Sequence, residues 1–126
     1  MRPFPVLIAL LALAGPAAAE TREAVFAGGC FWCVEADFDK VAGVVETVSG
    51  YAGGDVPDPS YQQVVAGGTG HREAVKIVYD PETVSYETLV ETFFRTVDPT
   101  DDGGQFCDRG FSYTTAIYAQ TDAQRA

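Results

Sequence analysis

The apolar positions of the chain fall into short runs that change period several times. Glu23 to Ala27 is an apolar stretch of strand length, closed by the turn Gly28-Gly29. From Cys30 the period lengthens. Phe31, Val34, Phe38 and Val41 make one stripe at helical spacing, so a helix is expected over Cys30 to Val41, ended by Gly43. Val44 to Ser49 alternates as a second strand. Gly50 to Ser60 is rich in Gly and Pro, a loop of the length that often carries function. Ser60 caps a short helix through Val65, and Gly67 to Gly70 is a further turn.

The strand Glu73 to Tyr79 places Val75, Ile77 and Tyr79 on one face and stops at Asp80-Pro81. Ser85 is an N-cap for a helix over Tyr86 to Val97, with Leu89, Val90, Phe93, Phe94 and Val97 as its buried stripe. Asp98-Pro99 ends that helix. A polar, glycine-bearing loop follows to Gly110, then a last strand over Tyr113 to Ala119. Thr121 and Gln124 have capping-box spacing two residues before the end, so the sequence reads as a domain without its C-terminal part. The strand–helix–strand unit from Glu73 to Ala119 points to one domain, a sheet with helices packed on it.

Residues 1–19 follow another logic. Arg2, the apolar run Val6 to Ala14, Gly15-Pro16 and Ala17-Ala18-Ala19 have the order of a secretory signal, cut after Ala19. The run is too short for a membrane anchor of roughly 20 apolar residues. The expectation is an exported protein, periplasmic or secreted, with its domain over residues 20–126 and no stable membrane insertion once the signal is cut. A hydrophobic content of 47% suits a packed core. The net charge is −10, and loss of Arg2 makes it more negative. Such a surface repels phosphate backbones, so nucleic acid is excluded as a partner.

Three cysteines, Cys30, Cys33 and Cys107, do not fit a paired disulfide framework. Cys30 stands where a strand gives way to a helix. Free N–H groups and the helix dipole there stabilise a thiolate. Cys33 lies one turn on, within reach of a local disulfide. The pair also admits a passive core role for Cys33, or a zinc set with Cys107 and His71. Phe31 and Trp32 read equally as core or as an apolar wall for a substrate methyl. His71, the only histidine, is a candidate to activate a thiol. Glu73 lies among apolar strand residues, where burial would make it a proton donor.

Five ordered blocks then carry a resemblance: Gly29-Cys30-Phe31-Trp32, Gly50-Tyr51-Ala52-Gly53-Gly54, Gly70-His71-Arg72-Glu73-Ala74-Val75, Val78-Tyr79-Asp80-Pro81 and Tyr113-Thr114-Thr115-Ala116-Ile117-Tyr118. From about Ala24 to Tyr118 the chain resembles the A-type peptide methionine sulfoxide reductases. The resemblance implies an α+β fold, a two-layer α/β sandwich with a mixed sheet related to the ferredoxin-like plait. It implies reduction of methionine S-sulfoxide, free or in oxidised proteins, as a repair reaction under oxidative stress. Cys30 is then the nucleophile and Glu73 the general acid. Tyr51 and Tyr113 hydrogen-bond the sulfoxide oxygen, Asp108 lines the site, and Phe31 and Trp32 hold the S-methyl. The reaction leaves a sulfenic acid on Cys30, which a second thiol converts to a disulfide for a thioredoxin-like reductant. No metal or organic cofactor is implied, and the expected state is a monomer.

The chain departs from the pattern at three places. Cys33 stands where many members have glycine, Cys107 where many have asparagine, and no cysteine lies in a glycine-rich tail. Cys107 is the first candidate for the resolving thiol and Cys33 the second. Two other functions stay open. One is a thioredoxin-like oxidoreductase using Cys30 and Cys33, although the usual preceding Trp and later cis-proline loop are missing. The other is a zinc-stabilised binding module.

Overall fold

In a computed structural model, residues 19–126 are described, and the signal segment falls outside them except for Ala19. The organising strand is β1 (Arg22–Ala27), which sends Ala24 and Phe26 inward, each fully buried. It pairs antiparallel with β3 (Arg72–Tyr79) on one side and with the two-residue β6 (Ala116–Ile117) on the other. β2 (Val44–Ala52) completes the sheet beside β3, giving the order β2-β3-β1-β6.

The strand–helix–strand unit holds: β3 leads through α3 (Tyr86–Thr96) to β6. The crossover passes over β1, which lies between its two strands. Every adjacent pair in the sheet is therefore antiparallel, and the expected mixed sheet is corrected on this point. The order is nevertheless that of the ferredoxin-like plait, with one layer of sheet and one of helices.

Alternation in β3 decides what faces the helices. Glu73, Val75, Ile77 and Tyr79 share the inward face, all at 2% exposure or less. The helix α1 (Phe31–Phe38) covers that face with Phe31, Val34 and Phe38, and α3 with Leu89 and Phe93. Phe26 is the centre of the packing. Its ring lies 5.0 Å from that of Phe93, 5.6 Å from Phe38 and 6.1 Å from Tyr86. Phe26→Ala opens a cavity at this point and is expected to destabilise the fold by about 3–5 kcal/mol, read by urea unfolding.

Three of the expected elements differ in extent by more than one residue. The helix α1 stops at Phe38 instead of Val41. Two tight turns, Val41 N–H to Phe38 O and Val44 N–H to Val41 O, swing the chain toward β2 while Val41 stays packed on the core. β2 runs on to Ala52 because Tyr51 and Ala52 pair with Glu73 and Arg72. The last strand shrinks to β6. Arg72 Nε donates to Thr114 Oγ1 at 2.7 Å and Nη1 to the Tyr118 hydroxyl at 3.2 Å, and Thr114 Oγ1 donates to Phe111 O. Tyr113, the expected first residue of that strand, instead closes a 3₁₀ turn over Phe111–Tyr113. Phe94 is 49% exposed, because Leu89, Phe93 and Val97 form the buried face one helical step away.

Between α3 and the 3₁₀ turn, β4 (Gly104–Gln105) and β5 (Asp108–Arg109) form a small hairpin with Phe106 and Cys107 as its turn. The short helices α2 (Tyr61–Ala66) and α4 (Asp122–Arg125) complete the described elements, each with the expected N-cap, Ser60 and Thr121. No helix among the described residues is long and apolar enough to cross a membrane.

Candidate active site

The site begins where β1 ends. Gly29 has φ +85°, and a Cβ on it would stand 2.7 Å from Gln105 Cβ, so a side chain is excluded on two counts. This turn brings the chain into α1 with Cys30 as N-cap residue, its carbonyl accepting from Cys33 N–H at 3.1 Å and Val34 N–H at 3.2 Å. Cys30 is partly exposed and its thiol is free. Its sulfur therefore sits at the positive end of α1, in reach of solvent.

The N–H of Phe31, next in the chain, donates to Glu73 Oε2 at 3.0 Å. Sheet and helix thus meet at the reactive end of α1. Glu73 has 2% exposure because β3 parity turns it inward with Val75 and Ile77. Burial pushes its carboxyl above the usual range. The Phe31 N–H works against that shift, and the charge of Asp108 adds to it. The strongest physical feature of the site is this carboxyl: buried, shifted toward its protonated form, and beside a cysteine.

Tyr51 stands directly opposite Glu73 on β2. Its ring lies 5.8 Å from that of Phe31, which lies 5.6 Å from Trp32. Burial raises the Tyr51 hydroxyl, and Glu73 and Tyr61 add to the shift. Tyr113 is pushed up to about 12, first by burial, then by its neighbour Tyr61 and by the charges of Glu73 and Asp108. Both phenols thus stay protonated and able to donate throughout the neutral range.

Of the expected residues, Cys30, Phe31, Glu73, Tyr51 and Tyr113 come together, with Asp108 close enough for its charge to act on Glu73, Tyr113 and Cys33. Phe31 and Trp32 divide their roles. Phe31 is part of the core, whereas Trp32 is 70% exposed on the surface beside it. The neighbouring Cys30 side chain is the first cause that raises the Cys33 thiol, with burial and the charge of Cys30 adding to the shift. Cys107 lies exposed in the β4–β5 turn. Of the two candidates to resolve Cys30, the second is the one held in the same helical turn, its backbone N–H donating to Cys30 O at 3.1 Å.

The zinc set is not assembled. Among the described residues no three His, Cys, Asp or Glu gather as a metal-holding group. His71 does not serve Cys30, since both ring nitrogens engage the backbone of the 53–60 loop. Tyr61 is the residue that sequence reading missed. It is the first residue of α2, 53% exposed, and near enough to add to the upward shifts of Tyr51 and Tyr113. The only local signal was its place behind Pro59-Ser60 at the end of a loop already marked as functional. Gln105 was missed as well. At 1% exposure it accepts from Asp98 N–H and donates to Asp98 O and Gly104 O, fixing the hairpin against Gly29.

Residues 22–126 match the family described as peptide methionine sulfoxide reductase. The chain is 56% identical over 121 residues to peptide methionine sulfoxide reductase MsrA 2 of Rhizobium meliloti, covering 96% of this chain and 60% of that protein. It is 53% identical over 108 residues to peptide methionine sulfoxide reductase MsrA of Bacillus licheniformis, covering 85% of this chain and 60% of that one. Among solved structures, methionine sulfoxide reductase A of Corynebacterium diphtheriae superimposes with a TM-score of 0.79 at 36% identity, over 88% of this chain and 51% of that one. Reduced Mxr1 of Saccharomyces cerevisiae gives 0.77 at 31% identity, over 91% and 68%. The chain thus spans about 60% of the length of these two curated relatives.

Proposed function

Because the chain belongs to the peptide methionine sulfoxide reductase family, we propose that it reduces methionine S-sulfoxide, free or in proteins, with Cys30 as nucleophile. The observation that carries this reading is the meeting of Cys30 and buried Glu73 at the start of α1. A sulfoxide needs two things at once. Its sulfur must be attacked, and its oxygen must take a proton as the S–O bond breaks. Cys30 supplies the first at the positive end of a helix. Glu73 supplies the second, since burial favours its protonated form. The phenols of Tyr51, Tyr61 and Tyr113 are the donors available to the same oxygen, and Trp32 offers an apolar face to the S-methyl.

The step leaves methionine and a sulfenic acid on Cys30. The Cys33 thiol then condenses with it, forming the Cys30–Cys33 disulfide and releasing water. The backbone bond from Cys33 N–H to Cys30 O, which keeps the two residues in one helical turn, supports Cys33 over Cys107 for this role. A thioredoxin-like dithiol returns both cysteines to thiols by exchange. The apolar run Val6 to Ala14 supports an exported enzyme, periplasmic or secreted, cut after Ala19.

The test is turnover with dithiothreitol and each methionine sulfoxide epimer. Reduction of the S epimer alone is expected, and a folded protein that reduces neither would end the proposal. Cys33→Ser separates the two thiol steps. It should keep the first turnover, accumulate a sulfenic acid that dimedone traps, and lose steady-state turnover with a protein dithiol. That behaviour in Cys107→Ser, with Cys33→Ser unaffected, would assign the role to Cys107 instead.

A further inference from the structure

The hairpin of β4 and β5 carries a residue that its backbone does not favour. Gln105 pairs with Asp108, so Phe106 and Cys107 make up a two-residue loop. Phe106 has φ +53°, in the left-handed region. The first central position of a hairpin loop takes that sign of φ and suits glycine best. A bulky side chain there is strained. Exposure is a second cost, since the ring is 72% exposed and lies outside the core cluster. Other exposed rings have a partner. Arg72 Cζ stands 4.3 Å from the Phe111 ring, Phe94 lies against Phe93, and Trp32 against Phe31. Among the described residues Phe106 has no aromatic or cationic partner of this kind. Packing within the chain therefore does not account for it.

The support beneath this loop is firm. Arg109 grips Asp101 with two bonds, Nη1 to Oδ2 at 2.6 Å and Nη2 to Oδ1 at 3.0 Å. Gly110 N–H donates to Gly103 O at 2.9 Å, and the Gln105 side chain is tied to both backbone groups of Asp98. The same side chain packs on Gly29, the residue before Cys30, where an added Cβ would stand 2.7 Å from Gln105 Cβ. Phe106 follows Gln105 directly. An exposed ring is thus fixed on a hairpin that abuts the turn leading to the nucleophile.

Free methionine sulfoxide ends at its own amino and carboxylate groups. In a polypeptide the oxidised side chain has neighbours, which an extended chain sets about 3.3 Å apart along its axis. A ring beside the reacting residue, and not part of it, is placed for those neighbours. An apolar side chain gains by leaving water for an aromatic surface, and a hydroxyl gains little.

We propose that Phe106 is a specificity-determining residue whose ring receives an apolar side chain adjoining the oxidised methionine, so that the site prefers the sulfoxide within an apolar polypeptide segment. The identity of this occupant rests on the proposed reductase function.

Two blocked pentapeptides test it, each with a central methionine S-sulfoxide, one flanked by leucines and one by serines. The wild type should favour the leucine peptide in kcat/KM. Phe106→Gly should cut that preference roughly 3–10-fold, the scale of one aromatic contact, with the change in KM. Phe106→Tyr keeps the ring and should keep the preference. Glycine suits φ +53°, so Phe106→Gly should unfold at the same or a higher urea concentration. A merely structural loss would slow both peptides alike. If Phe106→Gly does not fold, Phe106→Asn takes its place, since asparagine tolerates the left-handed region. The second arm is binding of the same peptides, labelled with fluorescein at the N-terminus and read by anisotropy. The leucine peptide should bind Phe106→Gly more weakly by the same factor, while the serine peptide does not. Equal losses for the two peptides, or no preference in the wild type, would overturn the role of Phe106. If the wild type binds the peptides and reduces neither, the reductase reading fails while the anisotropy arm still decides Phe106.

Discussion

Glu73→Gln is expected to lower kcat/KM for methionine S-sulfoxide by about 10²–10⁴-fold, the range for losing a general acid. The substitution is nearly isosteric. It keeps an oxygen for the Phe31 N–H that donates to the carboxyl at 3.0 Å, so α1 stays docked on β3. What it removes is the proton that the leaving oxygen needs. The pH dependence follows from the direction of the shift. Burial raises the Glu73 carboxyl above its ordinary value, so below that raised value it is protonated and active. Turnover by the wild type should fall as pH rises through it, whereas the residual rate of Glu73→Gln should lack that limb. Stability follows the same sign. The folded chain binds the Glu73 proton more tightly than the unfolded chain, so stability from this group is complete below the unfolded value. It is lost as pH rises through the folded one. In Glu73→Gln that loss should be absent. A rate profile for kcat/KM and a urea titration at several pH values read both effects.

Cys30→Ser is expected to remove turnover altogether. The hydroxyl of serine is a far weaker nucleophile toward sulfur, and a helix N-terminus does not ionise it at neutral pH. Cys30 adds little to the packing, being partly exposed and outside the core cluster, so the variant should fold as the wild type does. Loss of activity with an unchanged unfolding curve separates the nucleophile from a structural cysteine. Retained turnover would mean that Cys33 or Cys107 attacks the sulfoxide.

The residues legible in the sequence are those with a local pattern. The alternation of Val75, Ile77 and Tyr79 gives the parity of β3, and the same parity one step earlier carries Glu73 to the core face. The Ser60, Ser85 and Thr121 caps are legible because a cap acts within three residues. What escapes depends on long-range contacts. Tyr61 comes to the site from a separate short helix beyond the 53–60 loop, and the shortened last strand follows from Arg72 reaching Thr114 and Tyr118. β4 and β5, at two residues each, are too short to show any period. The relation of Cys33 to Cys30 is within local reach. Yet spacing leaves it level with a core role, and only the exposure of Cys33 in the first turn of α1 distinguishes it.

One measurement bears most directly on the chemistry assigned to Cys30. The fully reduced protein is mixed with one equivalent of a single sulfoxide epimer and no reductant, and both methionine and the disulfide state are assayed. The account predicts one methionine per chain from the S epimer, none from the R epimer, and a Cys30–Cys33 disulfide with Cys107 still free. A folded protein that releases no methionine, or releases it equally when Cys30 is serine, would contradict it.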